Sequence, residues 1–138
     1  MTRAQQMIET SPGQAPIEAG VLSELIDSCF ECAQACTACA DACLGEEEHL
    51  SMLVRCIRLD LDCADVCEAT GRILSRQVAF EPQMARATVE ACARAVKLCG
   101  DECEQHAQNM YMEHCRVCME ACRRCEEACN NVLSAIPA

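Results

Sequence analysis

Apolar positions recur every three or four residues over four long stretches of this chain, with polar and charged residues filling the gaps. The clearest runs are Leu22, Leu25, Cys29, Cys32, Cys36, Cys39, Cys43 and Cys115, Cys118, Cys122, Cys125, Cys129, Val132, Ile136, which keep a 3-4-3-4 step throughout. That step puts every marked residue on one stripe of an α-helix, the seam that faces a partner in a bundle. A second stretch carries the beat less fully, through Leu53, Cys56, Asp60, Cys63, Cys67, Thr70 and Leu74. The remaining one runs Ala85, Val89, Cys92, Val96, Cys99, Cys103, His106, Met110.

Punctuation sets the bounds of these stretches. Pro12 and Pro16 lie in a Ser/Pro/Gly leader that follows a short helical turn around 4–8. The interior breaks are Gly45 with the acidic run Glu46–Glu48, the stretch 78–82, and the segment near 107–111. Helices are predicted over 17–44, 46–77, 82–107 and 111–135. Gly45 suits a C′ position, Glu46–Glu48 suit the positive N-terminus of the second helix, and Pro82 suits the first turn of the third. Twenty-one Ala residues favour helix over strand. Short loops make sequential helices antiparallel, so the expected fold is all-α: an antiparallel up-down-up-down four-helix bundle, one Cys-rich domain over 1–138 with a short N-terminal leader.

Composition changes the picture of what fills that bundle. The chain holds sixteen Cys and no Trp, one Tyr and two Phe. Without Cys the apolar residues are mostly Ala, too small for an ordinary core, so thiols form much of the interior. A net charge of −11 argues against a phosphate-neutralising nucleic-acid binder. No run of about 18 apolar residues is present, so no transmembrane helix is expected. The first residues lack an apolar signal-peptide core. A cytoplasmic location is expected, where dense cysteine points to metal or redox chemistry rather than to disulfides.

All sixteen cysteines fall on seams that face one interior. Thiols at i,i+3 and i,i+4 have Cβ atoms about 5–6 Å apart, too far for a disulfide within a helix. Soft thiolates select Cu(I), Zn(II) or iron–sulfur clusters. Zinc needs four ligands per ion, and iron–sulfur clusters need a locally opened backbone. A two-coordinate ion asks only for two sulfurs about 4.6 Å apart at metal–sulfur distances of about 2.3 Å. Six CxxxC pairs have a suitable form: Cys32/Cys36, Cys39/Cys43, Cys63/Cys67, Cys99/Cys103, Cys118/Cys122 and Cys125/Cys129. One monovalent ion per thiolate keeps the interior neutral, which favours on the order of sixteen Cu(I) ions; zinc or another soft ion is the alternative.

The runs CFECAQACTACADAC, CIRLDLDCADVC, CARAVKLCGDEC and HCRVCMEACRRCEEAC resemble the bacterial copper storage proteins. The resemblance spans roughly 20–135 and is to the cytosolic branch. It implies a four-helix bundle holding many Cu(I) ions and a homotetramer. A copper chaperone or copper-requiring enzymes are the partners such a store would meet. In that family an oxygen ligand near the open end assists coordination, and Asp60 matches the place. From its spacing alone Asp60 has two readings, a metal-binding carboxylate on the seam or a surface residue with Leu59 turned inward.

Antiparallel packing brings Cys43, His49, Met52, Cys103, His106, Met110, Met112, His114 and Cys115 to one end, and Leu22, Leu25, Thr70, Leu74, Val89, Val132 and Ile136 to the other. The first set reads as a copper mouth and the second as an apolar plug. Met52 and Met110 also fit ordinary packing, and His49 a solvated first turn. The competing function is a thiol redox protein, for which Cys115 near a helix start is the one candidate nucleophile.

Overall fold

The computed structural model describes residues 1–137; Ala138, the last residue of the expected domain, lies outside the described residues. The chain is helical throughout: α1 Arg3–Thr10, α2 Ala19–Leu44, the 3-10 turn Glu47–Met52, α3 Val54–Leu74, α4 Pro82–Met110 and α5 Glu113–Ala135. The four long helices form a ring in the order α2, α3, α4, α5 and back to α2, with each helix beside its two ring neighbours. Their seams meet in one core, and every beat residue from Leu22 to Val132 named above is buried except Met110, which is half-buried. Among the described residues no helix is long and apolar enough to cross a membrane.

Local chemistry fixes the starts of the helices. The Glu18 carboxylate accepts from the amides of Gly20 and Val21 at 2.9 and 3.0 Å, and so caps α2. Glu81 accepts from the amide of Gln83 at 3.0 Å, and Pro82 follows in the first turn of α4 as predicted. Two glycines let neighbouring helices approach. A Cβ on Gly71 would sit 2.8 Å from the Phe30 ring of α2, and one on Gly100 would sit 2.9 Å from the Arg123 guanidinium of α5.

The connections differ from the sequence expectation. The second long helix begins at Val54, not at 46, because the chain must first cross from the α2 axis to the α3 axis, about 8–10 Å away. The 3-10 turn makes that crossing, and it carries Glu47 and Glu48 in its own first turn instead of at the start of α3. Gly45 caps α2 in a right-handed conformation (φ −83°), so its freedom to go left-handed is unused. At the other end α3 stops at Leu74. The Gln77 side chain turns inward, donating to the Leu74 carbonyl at 2.9 Å and accepting from the Ala15 amide at 3.1 Å. This pins the N-terminal arm, whose Ile8, Ala15 and Ile17 are buried over the plug. The leader is thus packed structure, with α1 longer than the expected turn. Helix α4 runs on to Met110 and is ended by Tyr111 in the left-handed region (φ 56°).

Candidate metal centre

Each thiol reaches the interior because its helix presents one stripe to the ring, and all sixteen cysteines are buried and free. Ten of the sulfurs form one connected series, and two further pairs lie beyond it toward the end away from the plug. Near the plug, Cys29 lies 3.9 Å from both Cys92 and Cys125, and Cys67 lies 3.9 Å from Cys92. In the middle, Cys32 contacts Cys36 (3.8 Å), Cys63 (4.0 Å) and Cys122 (3.7 Å). Cys36 continues the series to Cys99 (3.8 Å) and Cys118 (3.6 Å). Toward the other end Cys56 meets Cys103 at 3.8 Å and Cys39 meets Cys115 at 3.9 Å.

Most of these short approaches cross between helices; within a helix the same closeness is seen for Cys32–Cys36 and Cys63–Cys67. The natural units are therefore groups of four ligand atoms drawn from several helices. Cys32, Cys36, Cys63 and Cys122 form one, and Cys36, Cys99, Cys118 and Cys122 form the next. Cys36 and Cys122 belong to both. Such sharing is what bridging thiolates require, and it is not what isolated four-coordinate zinc sites require.

Asp60 is fully buried on the seam of α3, and Leu59 is not. Its Oδ1 accepts from Cys99 at 3.0 Å, Cys118 at 3.4 Å and Cys103 at 3.6 Å, while Oδ2 lies 3.9 Å from the Cys56 sulfur. It joins two ligand groups, one with Cys99, Cys103 and Cys118 and one with Cys39, Cys56 and Cys103. Burial, reinforced by the charge Cys118 would carry, pushes its carboxyl up to about 9, so it is protonated at neutral pH.

The thiols shift one another in both directions. Cys36 is pushed above its ordinary value by hydrogen bonds with Cys118 and Cys122 and then by burial; Cys67 is raised first by Cys125. Cys32 and Cys118 are pulled down, by hydrogen bonds with Cys122 and Cys103 respectively. Burial opposes ionisation at every one of them, so a core without cations is a core of thiols.

At the end away from the plug the structure gathers part of the expected mouth. His114 is half-buried, with Nδ1 3.4 Å from the Cys39 sulfur and 3.6 Å from that of Cys115. With Cys39, Cys43 and Cys115 it makes a four-ligand group. His106 is buried and Met112 is buried, but His106 spends its Nε2 on the Glu102 carboxylate at 2.9 Å. His49 is exposed and Met52 is 60% exposed, because the 3-10 turn carries them on its outer side, away from the thiols. Sequence reading passed over Glu102 and Glu46. The i,i+4 pairing of Glu102 with His106 was the available signal for the first; the second needs the turn geometry.

The chain is similar to several known proteins. Over 96% of the chain, and 98% of the other, it superposes with a TM-score of 0.91 and 46% identity on the copper storage protein Ccsp from Streptomyces lividans loaded with 10 copper equivalents. A structure described as copper loading to a cytosolic copper storage protein from Streptomyces lividans, with five coppers, matches at 50% identity and a TM-score of 0.82, over 86% of this chain and 96% of that one. A cysteine-rich protein of Bacillus subtilis (strain 168), YhjQ, is 33% identical over 95 residues, covering 67% of this chain and 78% of the relative. The family model described as "Copper storage protein" matches residues 19–134, and the chain belongs to that family.

Proposed function

We propose that this chain is a non-enzymatic store for copper, taken up as Cu(I) by the sulfurs of its sixteen cysteines with oxygen from Asp60 and nitrogen from His106 and His114. Met110 assists at the open end. The observation that carries this reading is a connected series of ten buried sulfurs at 3.6–4.0 Å, extended toward the open end through Asp60 to the Cys56–Cys103 pair, with individual thiols shared between neighbouring four-ligand groups. Sulfur contacts of that length need to open by under about 1 Å to span a linear sulfur–copper–sulfur unit, and need to move less for a three-coordinate ion.

Charge balance selects the ion. Each Cu(I) that replaces a thiol proton leaves the interior neutral, so filling continues to about one ion per sulfur, on the order of sixteen. A divalent ion at that density would bury a large positive excess. The relatives loaded with ten and five coppers support many ions per chain. The description of one of them as cytosolic supports a cytoplasmic store. Assembly as a homotetramer, and exchange with a copper chaperone or copper-requiring enzymes, complete the reading.

A thiol redox enzyme would need an accessible cysteine with a depressed pKa. Cys115 is fully buried and its thiol is held above the ordinary value, first by its hydrogen bond with Cys103. Anaerobic titration of the reduced protein with Cu(I), followed by thiolate-to-copper charge-transfer absorption, tests the proposal. Saturation in the teens is expected. Saturation at one or two ions would refute storage.

A further inference from the structure

The two imidazoles at the open end are each backed by a carboxylate. Within α4, His106 Nε2 lies 2.9 Å from Oε2 of Glu102, one turn earlier. Glu102 is steadied from α3, where Arg55 Nε donates to Oε1 at 3.2 Å. An ionised carboxylate only accepts hydrogen bonds, so the proton of a neutral His106 ring sits on Nε2 and the lone pair on Nδ1. His114 reaches the same tautomer from the opposite side. Its Nδ1 faces the thiols of Cys39 and Cys115 at 3.4 and 3.6 Å; Cys39 directs its own proton to Cys115, so the Cys115 thiol is the donor and Nδ1 its acceptor. The proton is then on Nε2, which is buried without a hydrogen-bond partner, alone in this among side-chain nitrogens and oxygens of the described residues. Oε1 of Glu46, in the turn after α2, stands 4.0 Å away, just beyond hydrogen-bond reach.

A buried donor left without a partner is costly, and a histidine that ligates a metal commonly donates its other N–H to a carboxylate, which fixes the ring and strengthens the ligand. We infer that Glu102 and Glu46 are positioning residues for copper entry. They hold His106 and His114 in the Nε2–H tautomer, so that both rings offer Nδ1 to Cu(I). Glu46 closes on His114 Nε2 when Nδ1 takes the ion. No proton leaves either ring, because the metal takes a ring nitrogen that carries none. The inference rests on the storage reading above for the identity of the cargo. Its tautomer claim stands on the copper-free chain alone.

Two measurements on the reduced full-length protein test it. Long-range proton–nitrogen NMR of the copper-free chain is expected to show Nε2–H at His106 and His114. Glu102→Ala is expected to mix the tautomers of His106, whereas Glu102→Gln, whose amide oxygen still accepts, is expected to keep Nε2–H. In anaerobic stopped-flow mixing with a chelated Cu(I) donor, Glu102→Ala and Glu46→Ala are expected to take up the first equivalents about tenfold more slowly, with final capacity unchanged. Glu102→Gln is expected to stay close to the unsubstituted chain. An Nδ1–H tautomer at either histidine, or unchanged uptake in both alanine variants, would overturn the inference. A capacity of one or two ions in the unsubstituted chain would instead overturn the storage reading and leave the tautomer result standing.

Discussion

Asp60 replaces a cysteine in the beat of α3, and its carboxyl is buried against four sulfurs. With an ordinary value of 3.8 in the unfolded chain and about 9 in the fold, it keeps a proton between those pH values that the unfolded chain has released. Its contribution to stability is therefore full below about pH 4 and is lost as pH rises toward 9, at up to about 1.4 kcal/mol per pH unit. Asp60→Asn is expected to flatten this slope and to stabilise the reduced copper-free protein at neutral pH. Urea midpoints measured from pH 5 to 8 check it, and an equal slope in both proteins would show that the carboxyl is not the cause. That Asp60 breaks the cysteine beat was visible in the sequence; that it joins two ligand groups depends on the register of α2, α4 and α5 against α3, which no single helix records. His106 and Met110 continue the seam of α4 beyond its last cysteine. Replacing both with Leu is expected to slow Cu(I) uptake in stopped-flow mixing several-fold while leaving capacity nearly unchanged, since the thiols remain.

At the scale of the element, the four long helices were legible because one beat runs through each, and the cysteines fix its phase. The connections were not legible, because a hydrophobic period says nothing about how the chain crosses between axes. Glu46–Glu48 read as the start of a helix by charge, yet the distance to the next axis converts the segment to a 3-10 turn, and Leu53, fully buried, marks where the return begins. Two exposed residues in turns, Ala79 and Tyr111, adopt φ of 56°, a conformation that sets Cβ against the backbone. Ala79→Gly, and Tyr111→Gly at the open end, are each expected to raise stability by about 1 kcal/mol, less the backbone entropy that glycine adds to the unfolded chain. Thermal unfolding of the reduced protein measures this; a lower midpoint in both variants would show that the left-handed turns carry no strain.

Across the whole molecule the bundle has two unlike ends. The apolar plug of Leu22, Leu25, Leu74, Val89 and Val132 is covered further by the N-terminal arm, while the opposite end presents His114, His106 and the Cys39–Cys115 pair. The polarity was readable from which residues close each seam, but the burial of the arm was not, because a Pro- and Gly-rich leader carries no beat. Sixteen buried thiols and a protonated aspartic acid make the copper-free state a proton-loaded one. Copper uptake is therefore an exchange of ions for protons. Native mass spectrometry of the reduced protein during anaerobic Cu(I) loading measures ion count and proton loss together. The account predicts filling into the teens with about one proton displaced per ion; filling that stops at one or two ions, or proceeds without proton release, would contradict it.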